Sequence, residues 1–237
     1  MITKKNAPAG RRSIRVNDTQ PLFPPRVSTK NLLIEVGEQL FGLHGFDGIS
    51  LREIAVAAGQ ANTNAVQYHF GDKMGLIVAI MDDRVTMLDE HRGELLQGLR
   101  KSSRKYARDL LMALWLPTLR IRSEDGTHTF ARFLLQVMLH LNRVLQPLSR
   151  IYNSAKPPKN LPTLNIANTT ANVELLKECF HHLPSNTLRQ RMVSINLMFL
   201  STIVEHDNTQ REQYGKIKEF DLEPVLEMGL AILKMPA

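Results

Sequence analysis

The chain has 237 residues, 43% of them hydrophobic, which is enough for one large or two modest globular domains. No apolar stretch approaches the ~20 residues that a membrane-spanning helix needs, and no apolar segment follows the basic N-terminus, so we expect neither a membrane partner nor a secretory signal. The single cysteine, Cys179, excludes an internal disulfide and fits a reducing, cytoplasmic environment.

The net charge of +7 is unevenly placed along the chain. Residues 1–27 hold six basic side chains against Asp18 alone, together with four prolines, a composition typical of a disordered basic arm. Such an arm either is a solvated tail that aids solubility or follows DNA phosphates or enters the minor groove, and the sequence favours neither interpretation. Residues 28–75, in contrast, hold three basic and five acidic side chains.

The first helix is predicted over residues 29 to about 44, after Ser28, a good N-cap. Gly45 should end it, because glycine adopts the left-handed C-cap conformation at least cost. Gly37 inside this helix costs about 1 kcal/mol relative to alanine. A close crossing by another helix would explain that glycine.

Residues 50–73 predict two short helices with a tight turn between them. Ser50 and Glu53 form a capping box, so the first of the two should begin at Leu51. Gly59 should end it, since a left-handed residue is cheapest for glycine.

The second short helix should run to about Phe70, with Asn62 and Thr63 as competing N-caps. Val66 and Phe70 lie four residues apart, so both can pack inward. Three polar side chains then point outward: Thr63, Asn64 and Gln67. Outward amides on a short helix suit base recognition in a DNA groove, because asparagine and glutamine bond bidentately to adenine. Aromatic, histidine and lysine groups at the end of the helix can hold phosphates.

The segments GFDGISLREIAVAAG and NAVQYHFGDKMGL, between Gly45 and Leu76, resemble the helix-turn-helix of the tetracycline-repressor (TetR) family of transcription regulators. The features that match are Ala55 and Gly59 across the turn, the run Tyr68-His69-Phe70, and Lys73 at the start of the next helix. The resemblance covers about residues 28–80. The rest of the chain is similar to the family only in being predicted to be helical.

The resemblance implies an N-terminal three-helix DNA-binding domain and, as partner, a double-stranded DNA operator. Arg52 should meet the DNA backbone or a base edge. Three side chains should read bases: Thr63, Asn64 and Gln67. Three others should hold phosphates: Tyr68, His69 and Lys73, the last aided by the start of its helix. Tyr68 could also pack partly against the first helix, and both roles can hold together.

Beyond residue 72 the sequence predicts a helical bundle. Helices are expected over about 73–100, 103–116, 117–123 as a short helix after an interruption at Pro117, 127–150, 170–183, 185–206 and 221–234. Residues 153–168, rich in proline and asparagine, should form a loop. The basic patch at residues 100–108 is interpreted as a solvated helix end rather than as a second nucleic-acid contact.

The helix over 185–206 carries two apolar rows and must therefore be covered on two sides. One row is Leu188, Met192, Ile195, Phe199 and Ile203, and the other is Val193, Leu197, Leu200 and Val204. The second cover is either the same helix of another subunit, which would make a two-fold homodimer, or another helix of the same chain. The family resemblance favours the homodimer.

No catalytic or metal-binding constellation is found, since the chain has no glycine-rich phosphate loop, no HExxH, no GxSxG and no cysteine cluster. We expect neither an enzyme nor a cofactor. The remaining partner is a small, mostly apolar effector between the helices of the C-terminal bundle. Candidates for its lining are Trp115, Phe133, Val137, Met138, Phe180 and Met198, although the sequence favours core packing instead for most of them.

The sequence thus predicts an all-α fold with three parts: a disordered basic arm over 1–27, a helix-turn-helix DNA-binding domain over 28–75, and a helical bundle for effector binding and dimerisation over 76–237. The expected function is that of a sequence-specific transcriptional regulator, a ligand-responsive repressor that binds a palindromic operator as a homodimer. The acidic composition of residues 28–75 keeps an alternative open, a helical protein-interaction or ligand-binding module without specific DNA binding.

Overall fold

The computed structural model describes residues 28–100, 106–140 and 166–236, and every regular element in those ranges is an α-helix. In chain order the helices are α1 (Thr29–His44), α2 (Leu51–Ala57), α3 (Ala65–Phe70), α4 (Lys73–Arg100), α5 (Ala107–Leu119), α6 (Thr129–Leu139), α7 (Ala167–Cys179), α8 (Ser185–Tyr214) and α9 (Leu222–Lys234). The all-α prediction is confirmed. The predicted arm over 1–27, residues 101–105 of the basic patch and the predicted loop up to residue 165 lie outside the described residues.

Local capping fixes the first two helices where the sequence predicts them. The Ser28 hydroxyl accepts a hydrogen bond from the Asn31 amide at 3.2 Å, which satisfies one of the free amides at the start of α1. Ser50 and Glu53 form the complete capping box of α2, in which the Ser50 amide donates to the Glu53 carboxylate at 2.8 Å. Gly59 follows α2 with a φ of +67°, the left-handed conformation that favours glycine.

The start of α3 differs from the prediction, because neither Asn62 nor Thr63 is its N-cap. The helix begins at Ala65, with Asn64 at the N-cap position. The Asn62 side chain accepts a hydrogen bond from the Asn64 amide at 3.0 Å, so it closes a turn ahead of the helix instead of capping it. This turn shortens α3 to six residues and leaves Thr63 and Asn64 ahead of its first turn.

α5 continues through Pro117, so the predicted interruption there and the predicted short helix over 117–123 are both wrong. Proline removes one helical hydrogen bond, but Leu116 and Thr118 on either side of it are buried, and burial in this apolar segment offsets the loss. α5 ends soon afterwards at Leu119, and residues 120–128 have no helix.

The later helices keep their predicted order but not all their bounds. α6 covers residues 129–139 of the predicted 127–150, and the residues after 140 lie outside the described part of the chain. α8 extends to Tyr214, well beyond its predicted end at residue 206, and Gly215 ends it with a φ of +65°. The added turns have no apolar stripe. They hold Asp207, which bonds to His128 just ahead of α6 and so gives this segment a buried contact.

The buried apolar side chains of the described residues form two clusters. The first joins α1, α2, α3 and the start of α4. Three residues of α6 also belong to it: Phe130, Phe133 and Val137. The Phe133 ring lies 6.0 Å from that of Phe46 and 6.5 Å from that of Phe41, so aromatic contacts connect α6 to the helix-turn-helix. The second cluster is built mainly by α5, α7, α8 and α9.

Two glycines of α1 allow other helices to approach closely. A Cβ added to Gly37 would lie 3.0 Å from Leu76 Cδ2 of α4, which is the close helix crossing that explains this glycine. A Cβ added to Gly42 would lie 3.0 Å from Arg132 Cβ and 3.2 Å from the Phe133 amide nitrogen of α6. The first helix is therefore held between α4 and α6.

Candidate nucleic-acid interface

α3 is anchored by one face and leaves the other face open. Val66 is fully buried and Ala65 is 8% exposed, while α1, α2 and α4 all contact the helix. Asn64, Gln67 and Tyr68 are exposed, Tyr68 with a relative accessibility of 84%. A short helix whose polar and aromatic side chains face away from the core has the form required for insertion into a DNA groove.

The end of α3 carries an exposed pair of rings. The Tyr68 and His69 rings lie 5.1 Å apart at an angle of 77°, an edge-to-face contact at the surface. Because so little of its surface is covered, the Tyr68 ring does not pack against the first helix. The pair presents a phenolic hydroxyl and an imidazole to solvent, and both groups can bond to a phosphate.

The two cationic residues predicted to meet DNA are held differently. Arg52 is exposed near the start of α2. Thr63, a predicted base-reading residue, is half-buried in the turn before α3. Lys73, at the start of α4, donates from its ammonium to the Phe46 carbonyl at 2.7 Å and is half-buried. This bond ties the corner between α1 and α2 to α4, and no sequence pattern reveals it. An ammonium has three donors, so the Lys73 group can bond to Phe46 and to a phosphate together.

Two residues that sequence reasoning missed set the corner between α3 and α4. The Asp72 carboxylate accepts a hydrogen bond from the Gly75 amide at 2.7 Å and so caps α4. A Cβ added to Gly75 would lie 1.9 Å from the Phe70 carbonyl oxygen, so a side chain there would force α3 and α4 apart. The available signal in the sequence is Asp72 itself, a good N-cap residue just ahead of a long apolar stripe.

The acidic side chains of residues 28–75 do not all face the surface around α3. Glu38 is 1% exposed, and it accepts hydrogen bonds from Arg84 of α4 and Thr129 of α6. Burial raises the pKa of Glu38, an effect that the Arg84 charge partly opposes. With Glu38 inside the protein, the surface of residues 28–75 is less acidic than their composition implies.

α8 buries one of its two apolar rows and leaves the other partly open. The first row is buried at four positions: Leu188, Ile195, Phe199 and Ile203. In the second row Leu200 is buried, but Val193 is 37% exposed, and Leu197 and Val204 are half-buried. The open part of the second row is a surface that a further helix can cover.

The six residues predicted to line an effector site are divided between the two clusters. Phe133 and Val137 lie in the first cluster, beside the helix-turn-helix. The other four lie in or against the second: Trp115, Met138, Phe180 and Met198. The Trp115 ring stacks 4.6 Å from that of Phe199, and its indole N–H donates to Asn196 at 2.8 Å. The structure therefore does not bring all six together.

Within residues 28–100, 106–140 and 166–236, no three histidine, cysteine, aspartate or glutamate side chains are grouped so that they could hold a metal ion. None of the helices in the described part of the chain is long and apolar enough to cross a membrane.

Comparison with solved structures gives helical regulators of low identity. One is the TetR family transcriptional regulator PfmR from Thermus thermophilus, at 17% identity and a TM-score of 0.45, covering 90% of this chain and 99% of that one. Another, from Mesorhizobium loti and classed as a TetR-family transcriptional regulator, has 14% identity and a TM-score of 0.44, covering 86% of this chain and 96% of that one.

Comparison with curated proteins gives no match. Residues 33–80 match the family model of the bacterial regulatory proteins of the tetR family, and the match covers most of α1, all of α2 and α3, and the start of α4. These are the helices that hold the open face of α3. Over residues 33–80, the chain is therefore similar to the bacterial regulatory proteins of the tetR family.

Proposed function

We propose that the chain is a ligand-responsive repressor that binds a palindromic operator as a homodimer. The observation that carries the proposal is the open outer face of α3, because two of the three side chains predicted to read bases, Asn64 and Gln67, are exposed. Each subunit places α3 in a major groove, with the half-sites about one helical turn, ~34 Å, or a multiple of it apart.

Asn64 and Gln67 are the base-reading residues of this proposal. Both are exposed, and a spacing of three residues brings their side chains to the same side of the helix. Each amide can form a bidentate pair with the N6 and N7 atoms of adenine. Thr63, half-buried in the turn before α3, reads at the edge of the same face.

Phosphate contacts come from the residues around that face. Tyr68 and His69 reach one strand from the end of α3, where both side chains are exposed. Lys73 adds its charge at the start of α4, and Arg52 approaches the backbone or a base edge from α2. These contacts hold the orientation of α3 and contribute affinity that does not depend on sequence.

A second copy of the chain covers the open row of α8. Val193, Leu197 and Val204 follow one side of a long helix, and a two-fold axis would place the same row of a partner against them. In such a two-fold interface the same surface of each subunit takes part, so the open row of α8 contacts its own copy in the partner. The two α3 helices are thereby set at a fixed separation.

An effector bound in the C-terminal bundle would change the position of α3 through α6, which contacts both α8 and α1. Thr129 of α6 bonds to Glu38 of α1, while His128, one residue earlier, bonds to Asp207 of α8. A ligand that shifts α8 relative to α6 would therefore also displace α1. A coupling free energy of ~1–3 kcal/mol changes operator affinity by about 5–150-fold, which is sufficient for regulation.

Selection of bound fragments from the source genome, followed by gel shifts, tests the DNA-binding part of the proposal. We expect the selected fragments to share a palindrome with the half-site spacing given above. If a folded protein that sediments as a dimer retards no fragment at low salt, a helical interaction or ligand-binding module becomes the better description.

A further inference from the structure

Asn172 is an unusual side chain for the interior of the C-terminal bundle. It lies on α7, none of its surface is exposed, and neither its Nδ2 nor its Oδ1 has a hydrogen-bond partner. An amide buried in this way loses its hydrogen bonds to water without replacement, which costs free energy. Most buried polar groups in proteins are paired, and among the described residues Asn172 is the one side chain with two buried polar atoms that lack a partner, so a ligand group could supply both missing hydrogen bonds.

Asn168, one turn earlier on α7, provides the contrast. Its Nδ2 donates to the Asp89 carboxylate at 3.2 Å and to the Asp89 carbonyl at 3.1 Å. Residues four apart lie on the same face of a helix, so Asn172 continues the polar row of Asn168 and Thr169 on α7, a helix that contacts both α4 and α5. The side chains of Asn168 and Thr169 thus have hydrogen-bond partners, whereas the side chain of Asn172, one turn later, has none.

The buried charges beside this row are matched within the protein. Asp89 accepts a hydrogen bond from Thr169, and Arg92 donates to Thr169 and to the Leu114 carbonyl. Burial raises the pKa of Asp89, but the hydrogen bonds from Thr169 and Asn168 more than offset this and hold that pKa below its ordinary value. Burial lowers the pKa of Arg92 to about 10, so it stays charged at neutral pH. The pair of Asp89 and Arg92 carries no net charge, so these two residues by themselves do not favour an ionised ligand.

Apart from this row, the cluster that Asn172 enters is apolar. Leu176, one turn further along α7, is 1% exposed and belongs to the second cluster. Trp115 lies in the same cluster and already donates its indole N–H to Asn196. A ligand bonded to Asn172 would therefore meet apolar side chains around one amide that can both donate and accept a hydrogen bond.

We propose that Asn172 is the polar contact of the effector site, and that its ligand is an uncharged molecule with an apolar body and one group that both donates and accepts a hydrogen bond, such as a primary amide or a lactam. The inference rests on the proposed function in one respect, that the bundle binds an effector, and it adds the chemistry of that effector. A primary amide pairs with the Nδ2 and Oδ1 of Asn172 together, whereas an ester of the same chain length pairs only with Nδ2.

Matched substitutions at the two asparagines test whether Asn172 lacks a partner in the ligand-free protein. Asn172→Leu removes an unpaired amide and should raise Tm by about 2–4 °C, whereas Asn168→Leu removes a bonded amide and should lower Tm. A fall in Tm for Asn172→Leu would mean that a protein group or an ordered water satisfies this side chain, and the proposal would be overturned.

Trp115 is the only tryptophan of the chain, and it packs in the second cluster together with Leu176 of α7, so its fluorescence serves as the probe of binding in that cluster. We expect octanamide to change its fluorescence at about tenfold lower concentration than methyl octanoate in the wild-type protein. Asn172→Leu should abolish that difference, while Asn168→Leu, which leaves the Asn172 amide in place, should preserve it. Equal affinities in the wild-type protein, or no response to either compound up to its solubility limit, contradict the proposed ligand chemistry.

The fluorescence measurement needs no DNA, so the two proposals can fail separately. A protein that binds octanamide through Asn172 but retards no DNA fragment retains the ligand site and loses its role as a repressor. A protein that binds its operator but responds to neither compound remains a regulator, and its effector site lies elsewhere.

Discussion

Replacing His128 by asparagine tests the buried contact that joins the start of α6 to α8. His128 and Asp207 are both fully buried, and the ring Nδ1 lies 2.8 Å from Asp207 Oδ1. The His128 amide donates to the other carboxylate oxygen, also at 2.8 Å. Burial lowers the pKa of His128, an effect that Asp207 partly opposes, so the folded protein holds a neutral imidazole whose Nδ1–H donates to Asp207.

The sign of the pH dependence follows from this shift. In the unfolded chain His128 binds its proton near pH 6.5, whereas in the folded chain it does so only at lower pH. Between these values the unfolded state holds more protons, so the free energy of unfolding falls as pH falls, by at most about 1.4 kcal/mol per pH unit. Burial raises the pKa of Asp207, but the bonds from His128 more than offset this, and the pKa lies below its ordinary 3.8. The stability that Asp207 contributes is therefore lost only below about pH 4.

His128→Asn keeps an N–H donor near Asp207 and removes the titrating ring. At pH 8 we expect a loss of about 1–2 kcal/mol, because the contact of the ring with Phe220, 6.5 Å between centroids, disappears. Between pH 6.5 and 5 the variant should lose less stability than the wild-type protein, by up to about 1.4 kcal/mol per pH unit. Urea unfolding at fixed protein concentration measures both quantities.

The matched control is His181→Asn, at an exposed histidine of the segment between α7 and α8. It should leave the slope between pH 6.5 and 5 unchanged. If His128→Asn also keeps the wild-type slope, the buried imidazole is not the group that titrates, and the reasoning from burial is refuted.

Gln67→Ala should cost about 1–3 kcal/mol on the operator and little on other sequences in gel shifts, and an equal loss on every sequence would argue against base reading. Lys73→Ala should weaken binding to all sequences alike and reduce the salt slope by about one, which titrations at several salt concentrations measure. Gly42→Ala should lower the free energy of unfolding by about 1–3 kcal/mol in urea, although alanine favours helix, because its Cβ would meet Arg132 Cβ at 3.0 Å; an unchanged midpoint would contradict this. Val193→Asp should give a helical monomer in sedimentation, and a dimer that persists would exclude this row as the interface.

The helices fixed by local interactions are those that the sequence predicts best. Ser28 and Ser50 start α1 and α2 because each cap bonds to an amide three residues away, a pattern visible in any short stretch of sequence. The same local reasoning fails at Pro117, where burial of the surrounding residues outweighs the helix-breaking tendency of proline. It also fails at the end of α8, because the contact between Asp207 and His128 joins distant residues.

In the candidate site, too, the features set by local sequence could be predicted and those set by contacts between distant residues could not. The open face of α3 could be predicted, since Val66 and the neighbouring amides alternate at helical spacing. The bond from Lys73 to the Phe46 carbonyl could not, because it depends on how α1 and α4 meet. The effector lining is the least predictable part, since an apolar pattern shows that Trp115 and Phe133 are buried but not that they enter different cores.

The contact between α6 and α1 limits how residues 28–75, which contain α1, α2 and α3, can be exchanged between regulators. A fragment cut after residue 75 would take the Phe133 ring away from Phe41 and Phe46 and would remove the Arg84 partner of Glu38. A hybrid regulator made by grafting residues 28–75 onto a foreign bundle would expose the same rings. Such a hybrid should therefore fold only when it also includes the α6 residues that pack in the first cluster, Phe130, Phe133 and Val137.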